Sequence, residues 1–313
     1  MEVETSGIFD VIKSGDLHTL QSMIADDPNK LNQKNHNNRS IFHSSCTHGH
    51  IDMAQWIFSI DPDQIHIKNI DDCTPFYGSC YNGHIDIAQW IYSICPEQIS
   101  VPSKNTCTPF YVACLGGYLQ LAKWIYSICP DQIHIKNMDD CTPFYASCYN
   151  GHINMAQWIY SIDPSKICEK DEDGCTPFYV SCHMGHINVA QWIYSIDPSQ
   201  LRKKEENDHT PFHLACHNEQ MDVAKWLIDT DIKVINDLLD GEDWKTIPND
   251  PHFIIELDNY ITDKEVQKCE KYDEMVDLIR DLQQQLSILK GTKQKMTDDV
   301  DESSYRRKIS KKY

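Results

Sequence analysis

Between residues 141 and 164 the chain reads CTPFYASCYNGHINMAQWIYSIDP, apolar from Pro143 to Cys148, polar through Asn150 to His152, then mixed. In the second part Ile153, Ala156, Ile159 and Tyr160 keep the 3,4 spacing of one helical face, while Met155, Trp158 and Ile162 form another. The pattern predicts two short helices. Thr142 suits the N-cap of the first, because its hydroxyl accepts from the free amides of the opening turn, and Pro143 has no amide to orphan at the first helical position. Gly151 suits the left-handed residue that closes this helix. The second helix is expected from about Ile153 to Ile162, and Pro164 ends it. A helix apolar on two faces packs between neighbours.

The same pattern recurs every 34 residues. Thr-Pro stands at 74-75, 108-109, 142-143, 176-177 and 210-211; Trp at 56, 90, 124, 158, 192 and 226; Cys at 46, 80, 114, 148, 182 and 216. Six units are therefore visible, and a weaker one precedes them, since Gly15 and Pro28 sit one period before Gly49 and Pro62. Residues 61–94 and 129–162 differ at only five of 34 positions, namely 61/129, 70/138, 78/146, 86/154 and 87/155. A two-repeat block has been duplicated. Duplication lengthens a stack; it does not build a second reactive centre.

Composition agrees with a folded chain: 313 residues, 41% hydrophobic. With 28 Lys and Arg against 47 Asp and Glu, the net charge of -19 repels phosphate backbones and anionic lipid, so neither nucleic acid nor membrane is an expected partner. The start, MEVETSGIFDVIKSGD, lacks the charged and apolar regions of an export signal, and no run of about 18 apolar residues occurs. An intracellular, cytoplasmic protein is expected. Its fourteen cysteines are then reduced rather than a disulfide framework.

The segment DEDGCTPFYVSCHMGHINVAQWIYSI (171–196), with TPFHLAC (210–216), resembles the ankyrin repeat, whose units open Asp-x-x-Gly-x-Thr-Pro-Leu-His-x-Ala-Ala and carry Gly-His before the second helix. The resemblance spans roughly residues 7–239. Tetratricopeptide repeats share the period, but their Trp-x-x-Leu-Gly-x-x-Tyr pattern is absent. The cysteine-rich, nearly identical units are also similar to the expanded ankyrin families of giant DNA viruses of amoebae. The implied fold is an all-α ankyrin solenoid of helix-turn-helix units with a further C-terminal helix. Departures exist: the first-helix His of the family survives at His43 and His213 but is Tyr77, Tyr111, Tyr145 and Tyr179 elsewhere. The usual turn Gly is Asp72, Thr106, Asp140 and Asp208, and remains only as Gly174.

Candidate chemistry is thin. Cys148 and its equivalents take the second Ala of the family's Ala-Ala pair, where cysteine serves as a small buried hydrophobe. The other ladder, Cys73, Cys107, Cys141 and Cys175, lies at the turn before Thr-Pro, and rungs about 8–10 Å apart are too distant for disulfides. Cys141, Cys148 and His152 give Cys-x6-Cys-x3-His, unlike zinc spacings and one ligand short of a structural site. The histidine is expected to brace the turn, and the tryptophans to lie in the core. No phosphate loop, nucleophile triad or special carboxylate pair stands out; Asp139 and Asp140 read as turn residues. No catalytic residue, cofactor or metal ligand is expected.

Residues 1–35 read as an N-terminal capping repeat, with Thr19 and Ser22 where Met53 and Trp56 stand in the next unit. Residues 36–239 are the six repeats, and 240–263 a divergent cap in which Trp244, Phe253, Ile254, Ile255 and Leu257 would cover the last repeat. Residues 264–292 read as a helix with a short heptad seam from Tyr272 to Leu289. The seam leaves two readings open: a weak homodimer through residues 266–289, or docking against the array or a partner. Residues 293–313 form a charged tail, and its YRRKISKKY end reads either as a solvated tail or as a nuclear signal.

In ankyrin proteins partners meet the turn tips and the ends of the first helices on the concave side. By register the resemblance places Ile70, Asp71, Tyr81 and Asn82 there, then Lys104, Asn105 and Leu115, then Met138, Asp139, Tyr149 and Asn150, then Glu172, Asp173, His183 and Met184. A non-enzymatic scaffold for a partner protein is the expected function. The alternative is a ubiquitin-ligase substrate adaptor that recruits the ligase through residues 240–290.

Overall fold

The structure, a computed structural model, describes residues 7–205, 209–231, 234, 250–264 and 267, to which every statement below refers. It divides into two compact units, Met1–Pro251 and His252–Tyr313, which are taken separately.

The first unit is a run of helix pairs: α1 Ile8–Ser14 and α2 Leu17–Asp26, α3 Ile41–Thr47 and α4 Ile51–Ile60, α5 Pro75–Tyr81 and α6 Ile85–Ile94, α7 Pro109–Leu115 and α8 Leu119–Ile128. There follow α9 Pro143–Tyr149 and α10 Ile153–Ile162, α11 Pro177–His183 and α12 Ile187–Ile196, and α13 Pro211–His217 and α14 Met221–Thr230. Among the described residues there is no strand, only an isolated bridge between Lys34 and Ser40. The all-α, 34-residue solenoid expected from the sequence is the fold.

Seven residues are too few for a helix to stand alone in water, so α9 depends on its caps and neighbours. The Thr142 hydroxyl accepts from the Tyr145 amide at 3.1 Å. At the other end Gly151, at φ 74°, donates to the Cys148 carbonyl at 3.2 Å, and His152 N donates to the Ser147 carbonyl at 2.8 Å. This paired closure is a Schellman motif. Successive first helices then pack directly on one another, α3 on α5, α5 on α7, α7 on α9 and α9 on α11.

The proline after each second helix does more than stop it. It opens a 3-10 turn, seen at Pro62–His66, Pro96–Ser100, Pro130–His134, Pro164–Cys168 and Pro198–Arg202, which the sequence reading did not anticipate. Gln98 in one such turn donates through Nε2 to the Ile65 carbonyl of the preceding turn at 2.9 Å, while its Oε1 accepts from the Phe76 amide at 3.4 Å. Gln64 and Gln132 repeat both bonds. The glutamine ladder thus ties the first helix of one repeat to the turn of the repeat before. At the same position Lys166 is 5% exposed and pairs with Glu169 at 2.7 Å.

Phe42, Phe76, Phe110, Phe144, Phe178 and Phe212 are fully buried, as are Cys46, Cys80, Cys114, Cys148, Cys182 and Cys216. The tryptophans are not. Each described one is half-buried, and from Trp90 to Trp226 each ring lies against the Phe of the preceding repeat's first helix, because Met155, Ala156 and Ile159 and their equivalents take the buried side of the second helix. Of the first pair, Ser22 is exposed and Thr19 half-buried.

In the second unit residues 252–264 are helical, and Phe253, Leu257 and Ile261 are the buried positions among them. Ile255, expected to join a covering cluster, is 63% exposed instead, since it falls on the opposite side of that 4-residue spacing. Trp244, the heptad seam and the charged tail lie outside the described residues. No helix among the described residues is long and apolar enough to cross a membrane.

Candidate protein-binding face

The turn tips are built from short polar residues. Asn69 accepts through Oδ1 from the amides of Asp71 and Cys73, both at 2.9 Å, and Asn137 does the same for Asp139 and Cys141 at 3.1 and 2.8 Å. The turn requires a left-handed residue, and Asp72, Thr106 and Asp140 take it at φ 58–59° where Gly174 takes it at 78°. The tips are then joined across repeats by the backbone. Ile70 N donates to Asn37 O at 3.1 Å, Lys104 N to Asp71 O at 2.8 Å, Met138 N to Asn105 O at 3.2 Å and Glu172 N to Asp139 O at 3.1 Å. Residues expected to meet a partner are therefore held in one ladder at fixed intervals.

None of the expected contact residues is buried. Ile70 is 55% exposed, Tyr81 55%, Met138 60% and Tyr149 40%, half of the large apolar side chains that stand out into solvent. Asp71, Lys104, Asn105, Asp139, Asn150, Glu172 and Asp173 are exposed; Asn82, Leu115, His183 and Met184 are half-buried. Tips and first-helix ends alternate along this face, so apolar side chains stand among carboxylates.

The side chains beneath the tips are structural. His152 Nε2 lies 3.0 Å from the Leu115 carbonyl of the preceding first helix, and His84 and His186 reach the Thr47 and Tyr149 carbonyls at 3.1 and 2.9 Å. This is the turn-bracing role expected of them. Tyr145 donates to Asp171 at 2.6 Å, which shows how tyrosine replaces the family's histidine: its hydroxyl reaches the turn residue of the next repeat. Burial pushes the thiols up, Cys73 to about 11 and Cys141 to about 12, with Asp71 and Asp171 adding to it. Such thiols stay protonated at neutral pH and are poor nucleophiles. All the described cysteines are free.

His66, Cys95 and Glu97 bring three ligand atoms within 4.8 Å of one another. The Cys95 thiol is pushed up by burial and then by Glu97, and three donors fall short of the four of a structural zinc site. A separate cavity of about 310 Å³ opens between the first repeats, beside the tip residues Asp71 and Asn105, lined by Arg39, His43, Asn69, Gly78 and Tyr81 among others. Sequence reading missed it. The signal was there in three departures from the periodic pattern: Arg39 where the next repeats have Cys, His43 where they have Tyr, and Gly78 where they have Val112, Ala146 and Val180.

The family described as ankyrin repeats (3 copies) matches residues 8–105 and 110–202, and the single ankyrin repeat matches residues 207–237. No curated protein matches the sequence. Among solved structures, the human ASB11 ankyrin repeat domain is similar at a TM-score of 0.52 and 16% identity, over 67% of this chain and 91% of that one. Its likeness bears on the fold alone. The repeat period, the cap and ladder geometry and the family matches over most of the chain agree, and the protein belongs to the ankyrin-repeat family.

Proposed function

We propose that the inner face of the stack binds a partner protein, with Ile70, Tyr81, Met138 and Tyr149 as its apolar anchors. Ankyrin repeats are in general protein-interaction modules and not catalysts. The observation that carries the site is the exposure of these four side chains, 40–60%, on a face otherwise made of polar tips. Tyrosine and methionine give large contact area at modest entropic cost, and clusters of them mark interface cores. The duplicated block places Tyr81 and Tyr149, and Ile70 and Met138, in equivalent registers, so a partner of two similar segments would meet two similar stations. Buried, unpaired thiols suit a reducing compartment.

The test is a crosslinking pull-down from a cell lysate with mass spectrometry, comparing the full chain with Tyr81→Ala/Met138→Ala/Tyr149→Ala. Wild type should retain a protein that the triple variant, unchanged in its thermal melt, loses. The same captured set from both would overturn the assignment of this face.

A further inference from the structure

Away from the tips, the stack repeatedly sets the last residue of a 3-10 turn against the end of the next repeat's second helix, 29 residues further on. Ser100 Oγ lies 3.8 Å from Cys129 Sγ, His134 Nδ1 3.6 Å from Asp163 Oδ2, Cys168 Sγ 4.0 Å from Asp197 Oδ2, and Arg202 reaches Asp231 at 2.6 Å. The solenoid makes this pairing, whatever the two residue types. At one seam the pair is His66 and Cys95, and Glu97 joins it: one ligand atom from each of the three lies within 4.8 Å of the other two. The sequence reading expected no metal ligand, because residues so far apart in the chain meet only when the repeats stack.

The equivalent seams show what sets this one apart. Where the helix ends in Asp, the residue two places on is Ser, and its amide and hydroxyl occupy the carboxylate: Ser165 donates to Asp163 at 3.0 and 2.6 Å, and Ser199 to Asp197 at 3.1 and 2.6 Å. Where it ends in Cys129, the facing turn offers the hydroxyl of Ser100 and no imidazole. Among the described residues, imidazole, thiol and carboxylate converge at His66, Cys95 and Glu97 alone. His66 and Glu97 are exposed while Cys95 is 6% exposed, so an ion would enter from solvent and rest on the thiol.

The three groups suit zinc. A tetrahedral zinc ion, about 2.3 Å from sulfur and about 2.0–2.2 Å from nitrogen and oxygen, holds its ligands about 3.3–3.7 Å apart. Rotation of the two exposed side chains closes that difference. Thiolate and carboxylate balance the ion's two charges, the imidazole binds neutral, and the thiol proton passes to solvent. Magnesium and calcium take six or more oxygens, of which a single carboxylate supplies too few. Three protein ligands fall short of a closed structural site but leave the fourth position to water, as in open zinc sites.

We propose that His66, Cys95 and Glu97 bind one zinc ion, with water as its fourth ligand, and that the ion ties two neighbouring repeats together across their seam. The site is independent of the protein-binding face.

The experiment is a cobalt titration of the full chain, stripped with a chelator, desalted and kept reduced by a phosphine. One equivalent of cobalt should bring up thiolate-to-metal charge-transfer absorption and the visible bands of a tetrahedral ion, and zinc should bleach both. Cys95→Ser should abolish the charge-transfer band, and His66→Asn and Glu97→Gln should each weaken cobalt binding at least about tenfold. His134→Asn and Cys168→Ser, at the equivalent turn position of other seams, should change nothing. Thermal melts in chelator confirm that each variant folds; if Cys95→Ser does not, the exposed His66→Asn and Glu97→Gln carry the test. The proposal is overturned if no thiolate band forms, if the band survives Cys95→Ser, or if either His66→Asn or Glu97→Gln leaves binding unmoved.

Discussion

Trp158 stands edge-on to Tyr126 of the preceding repeat, ring centroids 5.6 Å apart at 90°, and 6.2 Å from Phe110 in that repeat's first helix. Edge-to-face geometry sets the positive ring edge against a negative face, worth about 0.5–1.5 kcal/mol beyond area. The arrangement recurs at Trp124 with Tyr92 and at Trp192 with Tyr160. The tryptophan ladder is therefore a fastening between repeats. Trp158→Ala should cost about 2–4 kcal/mol, somewhat below the 3–5 of a fully buried aromatic, because the ring is half-buried. A urea melt measures it; a loss under about 0.5 kcal/mol would mean that the ring contributes nothing to the seam.

Trp158 also shows how far the sequence could be read. Periodicity fixed its helix, its face and its repeat, and the caps at Thr142 and Gly151 lie where the residue types put them. What periodicity does not carry is which of two apolar faces is deeper, since that depends on the neighbouring repeat and not on the helix itself. The glutamine ladder was visible as Gln64, Gln98 and Gln132 at one period, but a polar residue after a helix stop reads as surface until its two backbone partners are seen. The tips were legible through family register. The Arg39 cavity was not, because three single departures gain meaning only when the fold brings them together.

Gly151 is held by two demands at once. It sits at φ 74°, and a Cβ there would fall 2.5 Å from Nδ1 of His186 in the next repeat. Gly151→Ala should destabilise the chain by about 1–3 kcal/mol through backbone strain and displacement of that histidine. In NMR spectra the His186 ring resonances should move in the variant. An unshifted ring with unchanged stability would refute the bracing role.

Alkylation should separate the exposed turn cysteine from the buried ladder directly. Cys168 is exposed, whereas Cys46, Cys80, Cys114, Cys148, Cys182 and Cys216 are fully buried. Iodoacetamide at pH 7.5 is expected to modify Cys168 first among the described cysteines and to leave the buried six intact until the protein unfolds. Peptide mapping by mass spectrometry gives the order. Fast labelling of any one of the buried six would point to a reactive thiol and reopen the question of catalysis.

Acid should loosen the stack through its buried histidines. Burial pushes the His43 imidazole down to about 3, with the Arg39 charge adding to it, and holds His213 at about 4; His84, His152 and His183 are shifted the same way. A group whose folded value lies below its unfolded one binds protons first in the unfolded chain. Its neutral, folded form is therefore fully favoured above about pH 6.5, and stability is lost as pH falls from there towards the folded value. Chemical melts between pH 7 and pH 4 should show stability declining on acidification. His43→Tyr, which installs the residue of the next four repeats, should flatten part of that decline, since a phenol does not titrate in this range. An identical slope in the variant would show that His43 is as readily protonated in the folded protein as in the unfolded chain.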